Sequence, residues 1–315
     1  MPRAVKALYT LVVTALLAAP SPAPAPGPDA TVRTAEPARV VTSAAPRIPG
    51  VRGMEIAVPA YVGARDRMLA DLTATEPAPS LVVLNPGNGD APFDASWRAR
   101  ADALRRAVTA TGERTKVLGY VHTDHGNRDI AAVKASVDNY LRTPDGRLHV
   151  DGIFFDVVSR DCGPGNATRD HYAELRRHVQ DTMRAVDPAA TDLVVDNPGT
   201  AIADCYLEPG RRTADVFVTY EDTYAAYTGS GRPGGNVFDP VGGYRPGTEL
   251  DPSGTAFWHL VHDVPDVEAM RATLRTAFDR GAGYAYATSA VMPNPWDSSP
   301  AWAFRDQTDY AATLG

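Results

Sequence analysis

Two acids stand at the ends of apolar runs, and the chemistry of the chain is sought there first. The stretch Val150-Asp151-Gly152-Ile153-Phe154-Phe155-Asp156 is rich in β-branched and aromatic residues and delivers Asp156 at its end. A second run, Ala214 to Glu221, delivers Glu221 in the same way. Hydrolysis of a glycosidic bond needs one carboxylic acid to protonate the leaving oxygen and one carboxylate to attack or stabilise an oxocarbenium-like centre. Asp156 and Glu221, facing each other across a site, would meet that need. The plainer alternative is that Asp156 only caps the turn after it, a common use of Asp at strand ends.

Runs without polar alternation suit strands covered on both faces, as in parallel sheets and barrels. Eight such runs occur: Glu55 to Ala60, Ser80 to Asn85, Thr115 to His122, Val150 to Asp156, Asp192 to Asn197, Ala214 to Glu221, Thr255 to His262 and Gly283 to Ser289. Their carboxyl ends read Tyr61, Asn85, His122 with Asp124, Asp156, Asn197, Glu221, His262 with Asp263, and Thr288 with Ser289. The opposite ends show no comparable set. Barrel enzymes build their sites from the carboxyl-terminal loops, so Tyr61, Asn85, His122, Asp124, Asn197 and His262 are expected to shape sugar subsites. Tyr61, Tyr120, Tyr220, Tyr224, Trp258 and Trp296 offer rings that could stack on a sugar, although each singly could equally pack the core.

Helical spacing lies between the runs: Trp97, Ala101, Leu104 and Val108; then Tyr172, Leu175, Val179, Met183 and Val186; then Val267, Met270, Leu274 and Phe278. Asp94 and Thr168 read as N-caps, and Gly112 and Gly281 as the residues after helix ends. The helices around Thr200 to Tyr206 and Thr223 to Tyr227 look short. Alternating strands and helices with right-handed crossovers close most simply as a single-domain (β/α)8 barrel, because closure leaves no edge strand. The Gly- and Pro-rich stretch Gly229 to Gly254 reads as a long loop bordering a groove.

Other chemistries fit less well. His122, Asp124 and His125 could bind a metal with Asp156 or His262, but the first strand supplies Pro59-Ala60-Tyr61 rather than a His-x-His pair, so no metal and no cofactor are expected. His149, His171 and His178 read as solvated. There is no G-x-S-x-G elbow and no phosphate-binding glycine loop. The net charge of −7 and the lack of a basic stripe argue against nucleic acid as partner. Residues 1–26 read as an export signal: Arg3 and Lys6 precede an apolar run too short to span a bilayer, with a retained anchor as the alternative. Residues 27–53 read as a Pro/Ala-rich disordered linker and residues 54–315 as the folded domain. The mature chain is thus expected to be secreted or associated with the cell surface, monomeric and without a membrane span. Cys162 and Cys205, an even pair in an exported chain, suggest one disulfide, with free thiols as the alternative.

Seven motifs in order, Val58-Pro59-Ala60-Tyr61, Asn85-Pro86-Gly87-Asn88-Gly89, Gly119-Tyr120-Val121-His122-Thr123, Asp151 to Asp156, Asn197-Pro198-Gly199, Glu221 and Asn294-Pro295-Trp296-Asp297, resemble the spherulin-4 (spherulation-specific) family from about Glu55 to Trp302. The resemblance implies a (β/α)8 barrel. It also implies secreted, endo-acting hydrolysis of α-1,4-linked N-acetylgalactosamine in galactosamine-containing exopolysaccharides. In those relatives an Asp-Glu pair ends strand four and a further Glu ends strand six. Asp156 matches the first acid and Glu221 the third, while Val157 replaces the middle glutamate. Three outcomes follow. Asp156 and Glu221 suffice, or another acid such as Asp124 or Asp161 stands in, or the barrel binds glycan without cleaving it.

Overall fold

A computed structural model describes residues 54–208, 210–229 and 256–314. The expected signal and linker, and all but the first residue of the stretch Gly229 to Gly254, lie outside the described residues. Eight strands, β1 Glu55–Ala60, β2 Leu81–Leu84, β3 Lys116–His122, β4 Gly152–Asp156, β5 Leu193–Asn197, β6 Val216–Thr223, β7 Ala256–His262 and β8 Tyr284–Ala287, form a closed barrel in chain order. Every neighbouring pair is parallel, including β8 with β1. Each strand falls within about two residues of its expected span, the usual uncertainty of element ends.

Helices α1 Arg67–Ala74, α2 Ala95–Leu104, α3 Ile130–Leu141, α4 Ala167–Val186, α5 Tyr224–Thr228, α6 Val267–Asp279 and α7 Phe304–Ala311 surround the barrel. The crossover from β5 to β6 carries only a short 3-10 turn, Asp204–Leu207, and α5 is five residues long, as the irregular sequence there implies. Asp66, Asp94, Asp129 and Asp266 cap their helices by accepting backbone N–H bonds. Two cap expectations fail. Helix α4 begins before Thr168, with Asn166 as its cap, and α2 ends at Leu104, so Gly112 instead closes the turn from Thr109 to Glu113. Val108, beyond the end of α2, and Val186, the last residue of α4, are exposed. Gly281 does follow the end of α6 and donates its N–H to the carbonyl of Phe278.

The barrel interior is a packed core. Tyr120 stacks on Phe154 at 6.1 Å, and Phe154 meets Trp258 edge-on at 5.7 Å. Trp258 and Tyr220 are buried and are therefore core residues rather than sugar platforms. The disulfide Cys162–Cys205 is formed, with Cα atoms 6.2 Å apart, and ties the segment after β4 to the turn after β5.

The amino-terminal pole, where the sequence shows no set comparable to the carboxyl ends, carries acids of its own. Asp151 is held by Arg105 and accepts the N–H of Val117; Asp215 is held by Arg176 and accepts the N–H of Val194; Asp192 pairs with Arg184. These carboxylates staple strand starts to the helix layer, which is why they are polar yet structural. His149 is likewise buried, between Asp102 and Asp145, and His178 bonds Asp138, so neither is merely solvated. Among the described residues no helix is long and apolar enough to cross a membrane.

Candidate active site

Parallel register brings His122 beside Asp156 and Asp156 beside Asn197 at the carboxyl end of the barrel. Glu221 reaches the same place through an irregularity. In strict alternation Val218 and Glu221, three residues apart, would point to opposite faces. The register with β7 shifts between Val218 and Tyr220, so Val218 pairs with Trp258 and Glu221 with Leu260. Trp258 and Leu260 share the inward face, and the extra residue, Thr219, turns Glu221 inward with them.

A single amide joins the two acids. Asn197 Nδ2 donates to Asp156 Oδ1 at 2.7 Å and to Glu221 Oε2 at 2.9 Å. Its Oδ1 accepts the N–H of Gly199, which fixes the amide with its nitrogen toward the acids. The two bonds laid end to end put a ceiling of about 5.6 Å on the Oδ1–Oε2 separation. The Tyr120 hydroxyl donates to Asp156 Oδ2 at 2.7 Å, and the Trp296 indole N–H donates to Glu221 Oε1 at 2.9 Å.

Burial raises the pKa of both carboxyls. Hydrogen bonds from Tyr120, the Val157 N–H and Asn197 pull Asp156 back down, whereas the Asp156 charge pushes Glu221 up further. The environments thus part the pair, with Glu221 favoured to hold a proton and Asp156 favoured as the anion.

Tyr61 completes this centre. Its N–H bonds the Trp296 carbonyl at 2.9 Å, its ring meets Tyr120 edge-on at 5.1 Å, and its hydroxyl pKa is raised well above the usual value by burial and by Asp156 and Glu221. His262 is buried and faces Trp296 at 6.1 Å; burial lowers its pKa, and its Nδ1 has no partner among the described residues. Of the residues singled out in the sequence, Asp156, Glu221, Tyr61, Tyr120, Asn197 and Trp296 converge, with His122 and His262 flanking them. Asn85 is instead occupied in its own turn, accepting the N–H of Asn88 at 2.7 Å. Asp124 is exposed, in the turn after β3. Asp161 is exposed as well, 3.9 Å from Arg160. Among the described residues no three His, Cys, Asp or Glu side chains gather as metal ligands.

Sequence reasoning overlooked Thr123. It is buried, and its hydroxyl bonds the carbonyls of Asp156 and Val157, clamping the end of β4. A lone Thr after a strand gives no signal of such a role. Val157 is itself unusual: its φ is +54°, the left-handed region that β-branched residues avoid, at a cost of about 1–3 kcal/mol. The His125 N–H, 2.6 Å from its carbonyl, and Thr123 hold it there.

Directly before Asn197 on β5 lies Asp196, fully buried, with Oδ2 bonded to the Thr213 hydroxyl at 2.8 Å and Oδ1 without a partner among the described residues. Burial pushes its pKa up to about 7. A raised folded-state pKa gives stability that is full below the unfolded value near 4 and is lost as pH rises toward 7. Asp156 and Glu221 act in the same direction. The protein is therefore expected to be more stable at pH 5 than at pH 7.5, by roughly 2–3 kcal/mol from Asp196. Thermal unfolding across that range checks this, and an unchanged slope in Asp196→Asn would refute the assignment.

The sequence profile of spherulation-specific family 4 matches residues 55–308. Spherulin-4 of Physarum polycephalum is 28% identical over 158 residues, which is 49% of this chain and 42% of that protein, so the match spans less than half the relative's length. The crystal structure of Aspergillus clavatus Sph3 in complex with GalNAc superposes with a TM-score of 0.61 at 22% identity, covering 84% of this chain and 99% of that one. The profile match extends over most of the sequence and takes in every strand of the barrel, and on that ground the chain belongs to spherulation-specific family 4.

Proposed function

We propose that this chain is a secreted glycoside hydrolase of an amino-sugar exopolysaccharide, resembling endo-α-1,4-N-acetylgalactosaminidases, with Asp156 and Glu221 as its catalytic carboxylates. The observation that carries the reading is the Asn197 amide bridging two buried acids, each with its pKa raised by burial. The GalNAc in the Sph3 complex supports an amino sugar as ligand. A disulfide is consistent with an oxidising, extracellular setting.

In this reading the Glu221 carboxyl gives its proton to the glycosidic oxygen as the C1–O bond breaks, and the Asp156 carboxylate takes C1 as a glycosyl ester. Glu221, now ionised, accepts a proton from the water that hydrolyses the ester and frees Asp156. Tyr61, His122, His262, Asn85 and Asp124 would shape the sugar subsites. Retaining enzymes hold their carboxyls about 5–5.5 Å apart and inverting ones about 6.5–9.5 Å. One oxygen of each acid lies within about 5.6 Å of the other, which leaves room for the retaining spacing, and the retaining course is the one proposed here. The first-formed product is expected to keep the anomeric configuration of the substrate. Proton NMR of early products would show this, and the opposite anomer would exclude Asp156 as nucleophile.

The deciding experiment is product formation from purified α-1,4-galactosaminoglycan, with and without N-acetyl groups. Cleavage by the natural sequence supports the reading. Val157 favours a second one, a glycan-binding barrel that has lost its chemistry, because valine neither donates nor accepts a proton. If only Val157→Glu releases product, that second reading holds; if neither protein does, the substrate is wrong.

A further inference from the structure

Most basic side chains of the described residues lie against a carboxylate, as in Arg105–Asp151, Arg128–Asp90, Arg142–Asp138, Arg176–Asp215 and Arg184–Asp192. One groove gathers several that do not. A cavity of about 980 Å³ opens at the amino-terminal pole, at the far end of the barrel from Asp156 and Glu221. Arg106, Arg114 and Arg147 line it, exposed and without an ion-pair partner among the described residues, and Lys116 adds a fourth cation near Glu55.

The acids in the groove, three against five cations, offset only part of this charge. Asp151 is spent on Arg105 and the Val117 N–H, and Asp102 on His149, which leaves Glu113. The groove has no aromatic lining, and the Thr115 hydroxyl is already bonded to the carbonyl of Pro79. A pyranose ring or a nucleobase would thus find no face to stack on. Guanidinium forks spread along one groove without rings, Arg114 also bonding the carbonyl of Arg106, suit phosphate oxygens repeated along a chain.

We propose that this groove binds a linear polyphosphate, a phosphate-bearing chain lacking rings, and holds the barrel with its carboxylate mouth turned away. Binding there is independent of what the mouth does.

The test uses the full chain with linear polyphosphate and, separately, polygalacturonate, followed by calorimetry over a range of salt. Three phosphate contacts predict a slope of log K against log salt of about −2. The variant Arg106→Glu/Arg114→Glu/Arg147→Glu should bind polyphosphate at least tenfold more weakly, with a slope near zero and an unchanged melting profile. A control with the same charge change, Arg67→Glu/Arg271→Glu/Arg305→Glu, should stay within about threefold of the natural sequence. Equal weakening in the control would reduce the effect to net charge and overturn the site. Polygalacturonate binding as tightly as polyphosphate would overturn the phosphate assignment. Should the triple variant fail to fold, Arg147→Glu alone must still lower affinity measurably for the proposal to stand.

Discussion

Replacing Glu221 by glutamine is expected to lower kcat by about 10³-fold, within the range for loss of a positioned general acid. The amide keeps an oxygen to accept from Trp296 or Asn197, so folding and glycan binding should persist. Asp156→Asn should cost at least as much, since an amide cannot form the glycosyl ester. The two variants part on a substrate with an activated leaving group. A good aryl leaving group needs no proton, so it should restore the first step to Glu221→Gln, which then stalls at hydrolysis of the ester for want of its base, and restore nothing to Asp156→Asn. A rapid first-turnover burst of the aryl group from Glu221→Gln, absent in Asp156→Asn, reads this directly. Rescue of Asp156→Asn instead would exchange the two roles, and full activity in either variant on the polymer would remove that acid from the chemistry. The assignment rests on physical asymmetry: Asp156 is stabilised as an anion by three donors, while Glu221 sits beside that anion with two.

The second large effect falls at the other end of the same strand. A Cβ added at Gly152 would lie 1.8 Å from the carbonyl oxygen of Leu193 and 2.9 Å from its Cα. That neighbour is backbone of β5, paired with Gly152 in the ladder, and cannot rotate away as a side chain would. Gly152→Ala must therefore push β4 and β5 apart, costing at least about 3 kcal/mol, above the usual cost of overpacking. For a domain of this size that lowers Tm by roughly 10 °C. Because the same two strands carry Asp156 and Asn197, catalysis should fall with stability. Gly63→Ala is the control, since its Cβ would meet nothing within 4 Å, and it should change Tm by little. Equal melting of the two variants would show that the strands yield more easily than close packing allows.

Much of this protein was legible in its sequence. Largely apolar runs marked all eight strands within about two residues, because strands buried on both faces carry few polar positions away from their ends. The same rule placed Asp156, Asn197 and Glu221 at the mouth. Local capping chemistry identified Asp94, and motif order identified the family. Only the tertiary structure decided how those residues meet. Simple alternation leaves Glu221 facing away from Val218's side, and it is the irregularity at Thr219, set by pairing with β7, that turns it inward. Trp296, 75 residues further along, reads from sequence as a stacking ring, yet its indole N–H is bonded to Glu221. Asn197 reads as a subsite residue, yet it spans both acids. His149 looks solvated in the sequence and the acids of the amino-terminal pole draw no notice there, yet all prove to be staples. The reason is common to all of them. Periodicity and propensity act over a few residues and fix what each segment is, whereas the direction of a side chain at a strand end depends on register and packing against segments distant in the chain.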